Sequence, residues 1–226
     1  MNSEQEIKEV ARFIILLTDS YTSKKERQQK EQQESVPSLT NIISSLQLLS
    51  KLIWNNNACK SVTKIPKLLQ SLFALSLYNV CTRIDLDVDQ QRVEVRHTSR
   101  LCLWNVYFYG DEQVQQELVN IEYGRVTSIT FCTAGGIGEK QDLEIFNELY
   151  YIECFLRALH EGRNWQPSFQ PLPLLARRTE EQIEEEGANE EIEAQIINKG
   201  YDGNIFYYAN RAKAATLNCF IRRGWI

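Results

Sequence analysis

The chain has 226 residues, of which 43% are hydrophobic and 24% charged, and its formal net charge is -5. This length accommodates one domain or a short repeat array with a sizeable core. The acidic balance disfavours a general nucleic-acid binder, which normally has a basic face. The start, MNSEQEIKEV, lacks the features of a secretory signal, and the longest apolar run, ARFIILL, is too short to span a bilayer. We therefore expect a protein of the cytoplasm or nucleus that does not bind membranes.

Six cysteines are scattered along the chain without a Cys-x-x-Cys pair: Cys59, Cys81, Cys102, Cys132, Cys154 and Cys219. In an intracellular protein such dispersed thiols are usually reduced and buried. We therefore expect no disulfide framework and no cysteine-rich metal site.

The first predicted element is an amphipathic helix, because apolar residues recur at alternating steps of three and four. Its stripe consists of Ile7, Val10, Phe13, Leu17 and Tyr21. The stretch SKKERQQKEQQE follows without an apolar residue. It indicates either a solvated continuation of the helix or a linker.

From Ser35 onward the apolar pattern is helical almost throughout. The segment VPSLTNIISSLQLLSKLIW places Leu46, Leu49, Leu52 and Ile53 on one face, and LEIFNELYYIECFLRAL does so with Ile145, Leu149, Ile152, Leu156 and Leu159. Three segments depart from this pattern. RIDLDVDQQRVEV alternates like a hairpin or an extended loop, and prolines exclude a regular helix through WQPSFQPLPLLARR. TEEQIEEEGANEEIE is typical of a solvated acidic connection that runs into a helix.

An internal repeat is the most informative feature of the sequence. DEQVQQELVN and NEEIEAQIIN align so that Val114, Leu118 and Val119 correspond to Ile192, Ile196 and Ile197. A polar cap, an acidic first turn and apolar positions four apart predict a short capped helix in each copy. A weaker third copy lies in NNNACKSVTKIPKLLQSL, with Ala58, Val62 and Thr63 facing inward. Longer apolar helices flank the copies. One short helix combined with longer helices, repeated along the chain, is the unit of an α-solenoid.

The segments GDEQVQQELVN, ANEEIEAQIINKG and IPKLLQSL resemble parts of armadillo repeats. The resemblance implies an all-α, armadillo-like α-solenoid of about three three-helix units. We place an N-terminal helix and linker at residues 1–34 and the repeat domain at residues 35–226. The spacing between copies exceeds the usual period of roughly 40–47 residues, and we assign the excess to insertions near residues 82–92 and 161–188.

Peptide-binding armadillo proteins line a concave groove with an asparagine ladder, and the importin-α-like subset adds a tryptophan one turn earlier. The resemblance places the ladder at Lys51, Asn105, Cys154 and Cys219, and the tryptophan position at Gln47, Leu101, Tyr150 and Ala215. Only Asn105 matches the family, so a complete peptide ladder is not expected. The predicted partner-binding groove consists of Lys51, Leu101, Trp104 and Asn105.

Three motifs suggest a phosphate-binding loop, a calcium loop and a histidine site, and each lacks residues that such a site needs. In TAGGIGEKQ, Glu139 separates Gly138 from Lys140, so a Walker phosphate loop is incomplete. In DLDVD, Gln90 and Arg96 replace the glycine and the glutamate of a calcium loop. His97 and His160 lack neighbours at zinc-ligand spacing, and a Cys–His nucleophile pair stays open because such partners meet only in space.

The sequence thus predicts a non-enzymatic adaptor, without cofactor or metal, that binds a partner protein or an extended peptide and no nucleic acid, membrane or small-molecule substrate. A nuclear transport adaptor similar to importin-α is one version of this prediction. WQPSFQPLPLL and the glutamate run are secondary candidates, either as a linear motif that a partner binds or as a segment that occupies the chain's own binding surface. The main alternative is a structural subunit of a larger scaffolding or cytoskeletal assembly. An enzyme that uses TAGGIGEK is the third reading.

Overall fold

The computed structural model describes residues 3–27, 36–56, 59–78, 86–133 and 139–217. These residues form eleven α-helices and one short 3-10 helix, and no β-strand occurs among them. The helices are α1 (Ser3–Arg27), α2 (Val36–Asn56), α3 (Cys59–Thr63), α4 (Leu68–Ser76), α5 (Leu86–Tyr109), α6 (Glu112–Asn120), α7 (Tyr123–Thr133), α8 (Glu139–Glu161), α9 (Pro173–Glu185), α10 (Ala188–Gln195) and α11 (Asn204–Leu217), with the 3-10 helix at Tyr201–Gly203. The all-α prediction is confirmed for the described part of the chain.

The chain divides into two compact units, residues 1–121 with α1 to α6 and residues 122–226 with α7 to α11. In the first unit the long helices α2 and α5 pack together, and α1 packs on α2 and α4. The predicted stripe of α2 is confirmed, since Leu46, Leu49 and Ile53 are fully buried and Leu52 nearly so.

The buried face of α1 differs from the predicted stripe. Ile7, Ala11, Ile14 and Thr18 face inward, whereas Phe13 is 40% exposed. The run ARFIILL has apolar side chains at successive positions, so more than one stripe satisfies the helical period. Packing against α2 and α4 selects the stripe, and it leaves Leu16 61% exposed on the opposite side.

Residues 86–95 are helical, so the prediction of a hairpin or loop there is wrong. The first turns of α5 bury Arg92 and Val95, which continue into Ser99 and Cys102 at steps of three and four. Alternation over a few residues also fits one face of a helix, and contact with α2 and α4 decides the outcome.

The second unit has one core, to which all five helices contribute. Ile145, Leu149, Ile152 and Leu156 of α8 form its centre, as the sequence pattern predicts. Phe131 of α7, Ile183 of α9, Ala188 and Ile192 of α10, and Ile205, Ala209 and Ala212 of α11 pack around them.

The acidic segment TEEQIEEE is not a solvated connection, because it forms the second half of α9. Helix α9 begins at Pro173, where the missing N–H costs no hydrogen bond, and it buries Ala176, Thr179 and Ile183. Its glutamates lie largely on the outer face. Gly187, with a positive φ of 69°, then separates α9 from α10.

The predicted short helices exist, with differences at their ends. Asp111 caps α6 by accepting a hydrogen bond from Val114 N at 3.3 Å, and Val114, Leu118 and Val119 are buried as expected. In α10, Ala188 and Ile192 are buried, but the helix ends at Gln195 and Ile197 is 84% exposed. Ile197 therefore does not take the place of Val119. In the third copy Val62 is buried and Thr63 half-buried, whereas Ala58 lies outside the described residues.

Candidate functional site

The predicted groove residues all lie in the first unit, on α2 and α5. Lys51 is exposed, Leu101 is half-buried, and the half-buried Trp104 ring packs 4.8 Å from Tyr107 of its own helix. Asn105 is only 3% exposed, and its amide nitrogen donates to Ser50 Oγ at 3.0 Å and to Ser50 O at 3.4 Å. The amide of Asn105 therefore joins α5 to α2 and is not presented to a ligand.

Five aromatic side chains of the second unit form a continuous group that the groove prediction did not include. We name it the aromatic surface: Phe146 and Tyr150 of α8, Tyr201 of the 3-10 helix, and Tyr207 and Tyr208 of α11. The Phe146 ring centroid lies 4.9 Å from Tyr201 and 5.2 Å from Tyr208. Tyr208 also meets Tyr150 edge-on at 5.3 Å and Tyr207 at 5.0 Å. Tyr201 and Tyr207 are 42% and 50% exposed.

A strained turn positions one member of this group. Tyr201 and Asp202 both have positive φ, 50° and 56°, which is uncommon for residues other than glycine. Such conformations cost on the order of 1 kcal/mol or more each and persist only where the surroundings enforce them. Here the turn between α10 and α11 brings the Tyr201 ring onto Phe146.

A charged network behind the aromatic surface fixes α11 against α8. Glu153 is 3% exposed, and its Oε1 accepts from Arg211 at 2.6 Å and pairs with Arg157 at 3.2 Å. Arg211 also donates to the Tyr207 hydroxyl at 2.8 Å and lies over the Tyr207 ring at 5.4 Å. The Cys154 thiol donates to Glu153 Oε2 at 3.3 Å. The buried carboxylate thereby holds the side chain that orients Tyr207.

Burial raises the pKa of a thiol and two phenols beside this network. Burial raises the pKa of Tyr150 to about 12 and, together with the nearby Glu153 charge, raises the pKa of Cys154 to about 12. Burial also raises the pKa of Tyr208. Within the aromatic surface, Tyr150 and Tyr208 therefore offer neutral phenol hydroxyls.

A smaller aromatic group lies in the first unit, where α2 and α5 end. Trp54 is 59% exposed and meets Tyr109 edge-on at 5.7 Å, and Tyr109 packs on Phe108 at 5.1 Å. Phe108 in turn lies 6.3 Å from Trp104. Trp104 of the predicted groove is thus one end of an aromatic row that ends in an exposed tryptophan.

The exposed aromatic residues had a signal in the sequence. In NIFYYAN, Ile205 and Ala209 are buried in α11, and a helix that buries this one stripe must turn Tyr207 outward. In VPSLTNIISSLQLLSKLIW, the buried stripe ends at Ile53, so Trp54 falls beside it. The repeat alignment considered only the positions that face inward, so it did not identify Tyr207 or Trp54.

The other sequence motifs lie only partly within the described residues, since residues 134–138 of TAGGIGEKQ lie outside them. Asp89 pairs with Arg92 at 3.3 Å, and His160 Nε2 lies 2.8 Å from Glu180 Oε1. No cluster of three potential metal ligands occurs in the ranges that the structure describes.

Four cysteines lie in the described ranges, and all are free thiols. Cys59, Cys102 and Cys154 are buried as expected, whereas Cys132 is exposed. Burial raises the pKa of all four thiols, that of Cys132 to about 11. Cys81 and Cys219 lie outside the described residues.

No helix in the described part of the chain is long and apolar enough to cross a membrane. Comparison of the chain with protein-family models, with curated proteins and with solved structures finds no match.

Proposed function

We propose that this chain is a non-enzymatic protein-interaction module that binds a partner protein, or an extended peptide of it, through the aromatic surface of the second unit. The main support for this proposal is the group of contacting aromatic rings, in which Tyr201 and Tyr207 are 42% and 50% exposed. Tyrosine is enriched where proteins bind each other, since it combines a large apolar area with a polar end and loses little rotamer freedom.

The network behind the rings supports a binding role. Because Arg211 is held by Glu153 at 2.6 Å and by Tyr207 at 2.8 Å, the exposed ring is oriented before a partner arrives. A side chain that is already ordered loses less entropy on binding.

An armadillo-like arrangement remains our proposal for the architecture. The order of a short, a medium and a long helix occurs as α3–α4–α5 and again as α6–α7–α8. The position that the family resemblance assigns to its groove tryptophan is Tyr150 on α8, which belongs to the aromatic surface. Helix α9 is an additional element, and α11 is a single helix where the family pattern has two.

A nuclear transport adaptor is one specific version of this function, supported by the sequence resemblance alone. The alternative is a structural subunit of a larger assembly, supported by the same exposed rings, because a permanent neighbour also covers aromatic side chains. The two differ in lifetime: an adaptor releases its partner, whereas a structural subunit is isolated in a fixed complex.

The test compares two adjacent aromatic residues of α11. Phe206 is 48% exposed but lies outside the aromatic surface, so Phe206→Ser is a matched control for Tyr207→Ser. We expect a protein captured from a lysate by the unaltered chain to bind the purified chain directly, to bind the Phe206→Ser variant equally, and to bind Tyr207→Ser at least about tenfold more weakly. Equal affinity for both variants in calorimetry contradicts the proposal. The dissociation rate then separates an adaptor from a structural subunit.

A further inference from the structure

An open groove lies on the first unit between α1 and the turn that joins α3 to α4. Its volume is about 390 Å³, and we name it the basic groove: Lys8, Arg12, Ile15 and Leu16 of α1, with Lys64, Ile65 and Pro66 of the turn. The four α1 residues share one face at helical spacing, and packing of Ile7, Ala11 and Ile14 on the rest of the unit turns that face outward. This surface is separate from the aromatic surface, which belongs to the second unit.

The groove combines an apolar floor with a cationic rim. Leu16 is 61% exposed and lines the groove together with Ile15, Ile65 and Pro66. Lys8 pairs with Glu4 at 2.9 Å, and Lys8 and then Lys64 lower the pKa of the Glu4 carboxyl. At the far end of α1, Asp19 lies 3.8 Å from Lys67. Neither Arg12 nor Lys64 makes an ion pair with any part of the chain that the structure describes.

The sign of this rim is opposite to the net charge of the chain, which is -5. Lys8 is already paired with Glu4, so Arg12 and Lys64 are the cations that attract carboxylates, and the apolar lining of the groove accepts an apolar side chain. A groove volume of about 390 Å³ holds one or two side chains of a linear segment.

We propose that the basic groove binds a short acidic segment of a partner protein, in which carboxylates flank one or two large apolar side chains. The apolar side chain covers Leu16 and Ile65, and the carboxylates pair with Arg12 and Lys64. This occupant uses both properties of the groove at once: apolar burial supplies affinity, and opposite charge supplies steering and register.

A membrane or a nucleic acid fits the same region less well. Glu4, Glu9 and Asp19 lie on the exposed side of α1 beside the cations, so the helix does not present the continuous basic face that anionic lipid or phosphate backbones require. A peptide with spaced carboxylates can contact the cations and avoid these acids.

The experiment uses the full chain and a fluorescein-labelled synthetic peptide in which glutamates flank a Leu–Phe pair. We expect saturable binding by fluorescence anisotropy at low salt. The double variant Arg12→Glu/Lys64→Glu weakens this binding by at least about tenfold, and Leu16→Ser weakens it by about fivefold. Matched controls are Arg177→Glu/Lys199→Glu and Leu174→Ser, which change exposed residues of the second unit and leave the affinity within about twofold.

Two altered peptides test the inference without altering the protein. Replacing the glutamates by glutamines, or the Leu–Phe pair by Ser–Ser, is expected to abolish binding to the unaltered chain. Binding that persists with either peptide overturns the proposal, and so does the absence of binding by the original peptide. Stronger binding to phosphatidylserine vesicles or to oligo-deoxythymidine, or a dimer that Arg12→Glu/Lys64→Glu dissociates, assigns the groove to another occupant and overturns it as well.

Discussion

The aromatic surface of the second unit and the basic groove of the first unit differ in how firmly their exposed side chains are held. The rings of the aromatic surface are held by one another and by the Arg211–Glu153 pair at 2.6 Å. In the basic groove, by contrast, Leu16 is 61% exposed beside long, flexible cationic side chains. We therefore expect binding at the aromatic surface to depend on its prearranged shape, and binding at the basic groove to depend on charge and on ordering of side chains during binding.

We expect the largest effect when the Glu153 carboxylate, which holds Arg211 beside the aromatic surface, is replaced. Glu153→Gln removes the charge that Arg211 and Arg157 share in a site only 3% exposed, so we expect the free energy of unfolding to fall by about 2 kcal/mol. Partner binding at the aromatic surface should weaken with it, since Tyr207 loses its oriented neighbour. Urea unfolding and calorimetry measure the two effects.

The matched control for this change is Glu193→Gln, which breaks an exposed pair with Lys213. It should change the unfolding free energy by less than about 1 kcal/mol. The affinity of the basic groove for its acidic peptide should be unchanged in both variants. A Glu153→Gln protein with unaltered stability would show that the network does not support the surface.

The second prediction concerns Asn105, the predicted ladder residue. Asn105→Ala removes the amide that donates to the buried Ser50 hydroxyl and, more weakly, to the Ser50 carbonyl, so we expect a loss of about 1–2 kcal/mol in unfolding free energy. Neither binding activity should change in the folded variant, because the amide points into the α2–α5 interface. Loss of peptide or partner binding at unaltered stability would instead assign Asn105 to a ligand site.

Ionic strength should distinguish the two surfaces directly. Raising the salt concentration from about 0.05 M to 0.5 M shortens the Debye length from above 10 Å to below 5 Å. We expect peptide affinity at the basic groove to fall by about tenfold and partner affinity at the aromatic surface to change by less than about threefold. Titrations at both salt concentrations test this, and an equal response at the two surfaces would contradict the contrast between them.

The last effect is expected only in alkali, and the Cys154→Ala variant isolates the contribution of one thiol of the second unit. The pKa of the Cys154 thiol is raised from 9.0 to about 12, so the folded state keeps a proton that the unfolded chain loses. The resulting stabilisation is complete below pH 9 and is lost as the pH rises from about 9 to about 12. Unfolding measured across this range should show a shallower decline in Cys154→Ala than in the unaltered chain, and identical declines would contradict the assignment.

Sequence reasoning predicted the helices best where one apolar stripe was unambiguous. The stripes of α2 and α8 are buried as predicted, because in each case only one helical face is apolar enough to enter a core. Sequence reasoning failed in RIDLDVDQQRVEV, where the apolar pattern fits both a strand and a helix. It also failed in TEEQIEEE, where the many acidic residues indicated a solvated connection although the segment is helical. In both segments packing against neighbouring helices outweighs local composition.

The candidate surfaces were less predictable than the fold. Asn105 matched a family position, yet its neighbour across the helix interface is Ser50, which is distant in sequence and not visible to a repeat alignment. The basic groove joins Arg12 to Lys64, and no spacing rule connects two segments so far apart in the chain.

The sequence alone determined that this protein is helical, which residues of α2 and α8 are buried, and where short capped helices such as α6 begin. These features depend on local periodicity and on the chemistry of helix ends. Only the tertiary structure decided which side of α1 faces outward, that Glu153 meets Arg211, and that five aromatic rings form one surface. Those features depend on contacts between distant segments. The local sequence of a helix is compatible with several orientations against its neighbours, and tertiary packing selects one of them.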